Sequence, residues 1–277
     1  MAEKKKGASL PGHLIKSRKL VWNLAKNDIR KKFAGSYFGV IWAFVQPVIT
    51  VLLYWFVFEK GLNSKATDLR TGIEIPFVLW LMAGLVPWFY FQEAMNGGTG
   101  VLVEYSYLVK KVVFQIDILP VVKMISALFT HLFFVVFAVV IFACMGYYPN
   151  LYMLQVIYYS FCMILFTTGL VYATSAVTVF FRDMKEVVAI ILQIGMWVTP
   201  IMWNFESMVQ IPGWAVTILK LNPMYYIVSG YRDALINQTG FWENPGLTAY
   251  FWIVTAVLLL LGTAVFKRLR PHFADVL

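Results

Sequence analysis

The 277-residue chain is poor in charge: 13% of its residues are Asp, Glu, Lys or Arg, about half the share of an ordinary soluble domain. With 60% of its residues hydrophobic, too little polar surface remains to cover a particle in water, and the same composition excludes a disordered chain. Cysteine is scarce as well. Cys144 and Cys162 each lie inside an apolar run with no histidine or carboxylate nearby, so neither a disulfide framework nor a metal site is indicated. The histidines, His13, His131 and His272, are far apart and assign no metal-ligand set. The dipeptide Gly-Lys does not occur, which removes the phosphate-binding loop G-x-x-x-x-G-K, and H-E-x-x-H and G-x-S-x-G are missing too. ATP hydrolysis by that loop, zinc proteolysis and serine hydrolysis therefore have no motif to rest on. Ionisable residues deep in an apolar run, which a proton- or sodium-coupled carrier needs, reduce to His131. The opening MAEKKK lacks the short apolar core of a signal peptide.

What the chain does have is apolar length. Charge-free runs, with the turn residues between them, predict six transmembrane helices at 37–58, 76–98, 119–146, 151–181, 187–205 and 246–266. The third and fourth form a hairpin around Gly146-Tyr147-Tyr148-Pro149-Asn150. Continuous runs without alternation exclude a strand barrel. The expected fold is thus a single all-α, polytopic membrane domain over 1–277. Of 23 basic residues, 18 fall on one side of these spans, and only Lys60, Lys65, Arg70, Lys220 and Arg232 fall on the other. The positive-inside rule then places both termini in the cytoplasm and makes membrane lipid, not nucleic acid, the partner of the +9 charge.

Three segments do not read as spans. In the cytoplasmic segment 1–36, Leu14 to Phe33 reads as an amphipathic interface helix: Lys16, Lys19, Lys26 and Arg30 gather on one side, and Leu14, Ile15, Val21, Trp22 and Ala25 oppose them. Its basic face suits anionic headgroups. The connection 99–118 carries Glu104, Tyr105, Tyr107, Leu108, Val109, Lys110 and Lys111, a mixture that suits a short surface helix docking on a soluble motor or simply anchoring at the interface. The outer segment 206–243 is apolar but broken by Pro212-Gly213, Asn222-Pro223 and Arg232-Asp233. Its pieces are too short to cross and read as two short re-entrant helices before the last span. Gly35-x-x-x-Gly39 fits a close helix contact. The aromatic share of 17% includes Trp42, Phe44 and Trp55, which with Gln46 suit the C–H faces and hydroxyls of a sugar, although interface belts and helix packing explain many such residues.

Several stretches resemble one family. They are WNLAKNDIRKKFAGSYFGVIWAFVQPV at 22–48, LWLMAGLVPWFYF at 79–91, FFRDMKEV at 180–187, LNPMYYIVSGYRDAL at 221–235 and LRPHFADVL at 269–277. Together they resemble the permease subunits of type 2 ABC exporters for polysaccharides and polyol-phosphate polymers. The resemblance implies a homodimer with two ABC ATPase subunits in the bacterial plasma (inner) membrane, exporting an undecaprenyl-linked glycan (such as O-antigen) or a teichoic acid. ATP and Mg would be held by the partner and no cofactor by this chain, which is then not itself an enzyme. It also implies a channel formed chiefly by spans one and five, onto which Phe38, Trp42, Gln46, Trp197 and Trp203 map.

Two polar pairs remain. Arg182-Asp183 would order the cytoplasmic turn near the ATPase or serve as a topology charge. Arg232-Asp233 would staple the outer re-entrant helices or meet a substrate phosphate. The rival readings are an ABC exporter permease for a small hydrophobic molecule or drug, and a membrane-embedded glycosyl or acyl transferase, for which Glu93, Asp117 and Asp183 are sparse acids. The orientation has a direct check. A cysteine replacing Arg270 is predicted to react with a membrane-impermeant thiol reagent only after cells are opened, and labelling from outside intact cells would invert the topology.

Overall fold

A chain segment in hydrocarbon has no water to bond its backbone, so long charge-free runs close their own N–H and C=O groups as helices. The computed structural model describes residues 17–32, 34–67, 72, 74–110, 115–203 and 212–277. Helix α1 is Arg18–Lys32. Helix α2, Trp42–Trp55, is entered by a 3-10 turn and prolonged by a π turn, Phe56–Gly61. A minimal antiparallel hairpin follows, β1 Ala66–Thr67 on β2 Glu74–Ile75, with Ala66 opposite Ile75. Then come α3 Phe77–Glu104, α4 Ser106–Val109, α5 Ile118–Cys144, α6 Gln155–Phe180 and α7 Met184–Val198. Helices α8 Gly213–Lys220, α9 Pro223–Arg232, α10 Pro245–Leu269 and α11 Phe273–Val276 complete the order.

The fold is all-α and polytopic. Five helical segments among the described residues are long and apolar enough to cross a membrane: Gly39–Gly61, Phe77–Glu104, Ile118–Cys144, Leu151–Phe180 and Pro245–Val276. Helix α3 is the central one, buried over most of its length through Leu79, Leu81, Ala83, Leu85 and Trp88. It is covered by α5, α6, α7 and α9. Helix α2 is the opposite case, with only Val51 buried along Trp42–Trp55.

Helices α6 and α10 meet backbone to backbone. A Cβ added to Gly262 would lie 1.9 Å from the carbonyl oxygen of Gly169, and one added to Gly169 would lie 2.7 Å from the Leu258 carbonyl carbon. Small residues allow this approach, which maximises packing where lipid offers no hydrophobic drive between helices. At one end of the bundle α1 lies against α5, the end of α3 meets the start of α5, and Arg270 reaches Asp117 at 2.7 Å. Lys32, Lys123, Lys185 and Arg270 all make their contacts at this end, which is therefore the basic one.

Three expectations change in detail. The run at 187–205 becomes the 15-residue helix α7, about 22 Å long at a 1.5 Å rise, because the chain turns extended at Thr199 before Pro200. That is short of the roughly 30 Å hydrocarbon core, so α7 is not among the five. The connection expected over 99–118 loses its first part to α3, which continues to Glu104 with Thr99, Gly100, Val101 and Leu102 buried. Among the described residues, Gly35 and Gly39 make no close helix contact. They have φ +83 and +53 with nothing within 4 Å of an added Cβ, so they turn the chain between α1 and α2, in a conformation glycine alone adopts without strain. In the outer segment α8 spans eight residues with none buried, whereas α9 has Met224–Val228 and Gly230–Arg232 buried.

The α6–α10 contact gives a sharp test. Gly262→Val is predicted to destabilise the purified protein by about 1–3 kcal/mol or more through overpacking. The solvent-open Gly246→Ala should leave thermal unfolding in detergent within about 0.5 kcal/mol of the parent.

Candidate functional site

Five helices wall a cleft of about 670 Å³. Helix α1 contributes Asp28, Ile29 and Lys32, and α2 contributes Trp42, Ala43, Gln46, Pro47, Thr50 and Tyr54. Helix α3 adds Phe89, Gln92, Glu93, Asn96 and Gly97, α5 adds Lys123, Ser126 and Thr130, and α7 adds Met196. On each long helix the lining residues recur at three- and four-residue steps, so each element turns one narrow stripe inward. Pro47 also has no N–H to offer the Ala43 carbonyl, and both residues line the cleft.

The floor of the cleft is a buried charge pair. Lys123 Nζ lies 2.6 Å from Asp28 Oδ1, with side chains 13% and 8% exposed. Ser126 Oγ donates to Asp28 Oδ2 at 2.8 Å, and Tyr105 OH donates to Oδ1 at 3.0 Å. Lys123 also reaches Glu104 at 2.8 Å. Burial first, and then the Asp28 carboxylate, push the Tyr105 phenol up, so it stays a protonated donor. A second pair, Lys32 to Glu93 at 2.6 Å, bridges α1 and α3 in a more exposed position. Every lysine of the lining is thus matched by a carboxylate.

The residues singled out from the sequence are distributed as follows. Trp42 and Gln46 line the cleft. Phe38 packs edge-on against Trp42 at 5.9 Å but does not line it. Trp197 is 56% exposed, and Trp203 donates its indole N–H to the Trp197 carbonyl at 2.9 Å, so these two meet each other outside the cleft lining. On α1, Lys19, Lys26 and Arg30 are exposed and Trp22 packs on Phe129 at 5.1 Å. Lys16, with Leu14, Ile15 and Phe33, lies outside the described residues. In the connection, Tyr105 and Val109 turn inward, each 3% exposed. The docking face expected there therefore reduces to exposed Tyr107 and Lys110 with half-buried Leu108 beside them, while Glu104 binds Lys123 and Lys111 lies outside the described residues. Arg182 and Asp183 are exposed at the start of α7.

Arg232 is 8% exposed and donates to the carbonyls of Pro200 and Ile201 at 2.8 and 2.9 Å, its guanidinium 3.3 Å from the Trp80 ring centre. Asn222 Nδ2 donates to Thr199 Oγ1 at 2.8 Å. The outer segment thereby caps the broken end of α7. Asp233 instead accepts from Asn237 Nδ2 at 2.8 Å.

Sequence reasoning missed Asp28, Gln92, Glu93, Asn96, Lys123, Ser126 and Thr130 as parts of one site. A signal existed: Val21, Ala25 and Asp28 share the buried face of α1, which places one acid on the apolar side of a basic helix.

A helical membrane bundle that walls a hydrogen-bonding cleft is an arrangement a transporter subunit can use. The chain belongs to the ABC-2 type transporter family, whose model matches residues 19–236. It is similar to the O-antigen export system permease protein RfbA of Myxococcus xanthus, 24% identical over 262 residues, covering 95% of this chain and 96% of the relative. It is also similar to a protein of the same name from Klebsiella pneumoniae, 23% identical over 256 residues, covering 92% and 93%.

The buried pair sets a mutational contrast. Asp28→Ala strands Lys123 with only Glu104 and is predicted to cost about 3 kcal/mol in thermal unfolding, whereas Asp28→Ala with Lys123→Met should recover part of that loss. Lys65→Met, which removes a surface pair to Glu74, should change stability by less than about 1 kcal/mol.

Proposed function

We propose that this chain is the membrane-spanning subunit of an ATP-driven exporter that moves a lipid-linked polysaccharide across the bacterial plasma membrane. It works as a homodimer with two ABC ATPase subunits, and its termini lie in the cytoplasm. The observation that carries this reading is the likeness, over 92–95% of the chain, to relatives named as O-antigen export permeases. The cleft supports it chemically. A conduit for sugar has to offer hydrogen bonds and ring faces without a charge that holds its cargo, and amides, hydroxyls, Trp42 and compensated ion pairs are such a lining.

In this account ATP and Mg are bound by the ATPase, which meets the basic end of the bundle. Tyr107 and Lys110 are the exposed side chains of the short α4 turn and its C-cap, set directly beyond the helix that walls the cleft. The Glu104–Lys123–Asp28 contacts then give a push on that turn a rigid route into α3, α5 and α1. The outer segment, held to the end of α7 by Arg232 and Asn222, forms the exit side as a re-entrant element. Arg232 ties α9 to the end of α7 and to Trp80.

Coupling is tested with the ATPase co-expressed and the complex purified. Tyr107→Ala with Lys110→Glu is predicted to lower co-purification, or permease-dependent ATP hydrolysis, by tenfold or more, on the order of 1.4 kcal/mol or above, while thermal unfolding of the permease is unchanged. Full association and hydrolysis in this variant would remove the assigned contact.

A further inference from the structure

We infer that the cleft between α1, α2, α3, α5 and α7 is a binding site for an uncharged saccharide segment, held by the side-chain amides of Gln46, Gln92 and Asn96, and that it discriminates against a phosphate-bearing segment. This deepens the export reading and rests on it.

The first support is charge. The cations lining the cleft are Lys32 and Lys123, and the anions are Asp28 and Glu93. Each lysine already lies 2.6 Å from one of these carboxylates, and Lys123 has Glu104 as well at 2.8 Å. A phosphodiester entering the cleft would have to displace a carboxylate or sit beside one, and both are unfavourable where water is scarce. A phosphate site needs cations in excess, with forked or clustered donors, and this lining has none among the described residues.

The second support is the state of the polar side chains that remain. Among the described residues no hydrogen bond within the protein engages the side-chain amides of Gln46, Gln92 or Asn96. An amide offers two donors and an acceptor with two lone pairs, which matches the mixed donor and acceptor character of sugar hydroxyls. Thr50 spends its proton on the Gln46 carbonyl at 3.0 Å and keeps its oxygen as an acceptor. The third support is shape. Trp42 is 46% exposed at the cleft wall, a ring face available to the C–H side of a pyranose, and the volume of about 670 Å³ lies within the 300–1,000 Å³ usual for small-molecule sites.

The test uses the full permease–ATPase complex and two probes with the same farnesyl-pyrophosphoryl anchor. One carries a neutral mannose tetrasaccharide and the other a tri(glycerol phosphate) of similar length. Binding is measured by calorimetry in nanodiscs, and ATP-driven uptake of each probe into inside-out proteoliposomes is followed in parallel. The parent complex should bind the neutral probe about tenfold more tightly than the phosphate probe. Gln92→Leu with Asn96→Leu, at exposed or half-buried positions where the core is untouched, should lose about tenfold for the neutral probe alone. Glu93→Gln, which removes the carboxylate 2.6 Å from Lys32, should raise affinity for the phosphate probe several-fold. Equal or tighter binding of the phosphate probe by the parent complex, or unchanged neutral-probe binding by the double variant, overturns the inference. Uptake of neither probe overturns the export reading itself, whereas uptake that favours the phosphate probe leaves export standing and removes only this inference.

Discussion

The contact on which the rest of the site depends is the buried pair between Asp28 of α1 and Lys123 of α5. Helix α1 carries six basic residues, Arg18, Lys19, Lys26, Arg30, Lys31 and Lys32, and left alone it would lie on any anionic surface. Its single acid, turned to the same face as Val21 and Ala25, fixes it against the bundle. A buried ion pair brings little net stability after desolvation, but it is costly to break once formed. Asp28 therefore specifies where α1 sits. With Ser126 and Tyr105 completing its bonds, the carboxylate is satisfied from α5 and from the end of α3 together. One residue thus holds the interface helix, the cleft floor and the start of the α4 turn in one arrangement.

The polar cleft follows from the same economy of charge. In a chain with so few ionisable residues, those that line the cleft are spent on one another or on Glu104. What is left to face the cleft is neutral: amides, hydroxyls and aromatic rings. Affinity for the proposed polysaccharide can then be modest and distributed, which suits a polymer that must be held and released repeatedly. Helix α2, with only Val51 buried along Trp42–Trp55, forms an outer wall of the cleft, and a second copy of the chain is the partner that the proposed assembly supplies for it.

Much of the fold was legible in the sequence because the bilayer imposes a coarse rule. Long charge-free runs had to be helices, and five of them are long and apolar enough to span. The limits of that rule lie where tertiary contacts decide. The extended break after α7 follows from Thr199 and Pro200, and its capping by Arg232 and Asn222 comes from residues more than twenty positions away. Tyr105 looked like a docking aromatic because its partner, Asp28, is 77 positions distant. The cleft was half legible. Trp42 and Gln46 stood out as polar and aromatic groups in the first span, but Gln92, Glu93 and Asn96 on α3, and Lys123, Ser126 and Thr130 on α5, form stripes whose convergence only the packing of the helices reveals.

The central claim is that cargo passes through this cleft during export. A photo-reactive benzoylphenylalanine placed at Gln92, on the cleft wall, and one at Ile253, 64% exposed on the outside of α10, can be illuminated in cells that are making the polymer. The account predicts a ladder of polymer-linked permease from position 92 that disappears when the ATPase is inactivated, with none from position 253. Equal ladders from both positions, or a ladder from position 253 alone, would contradict it.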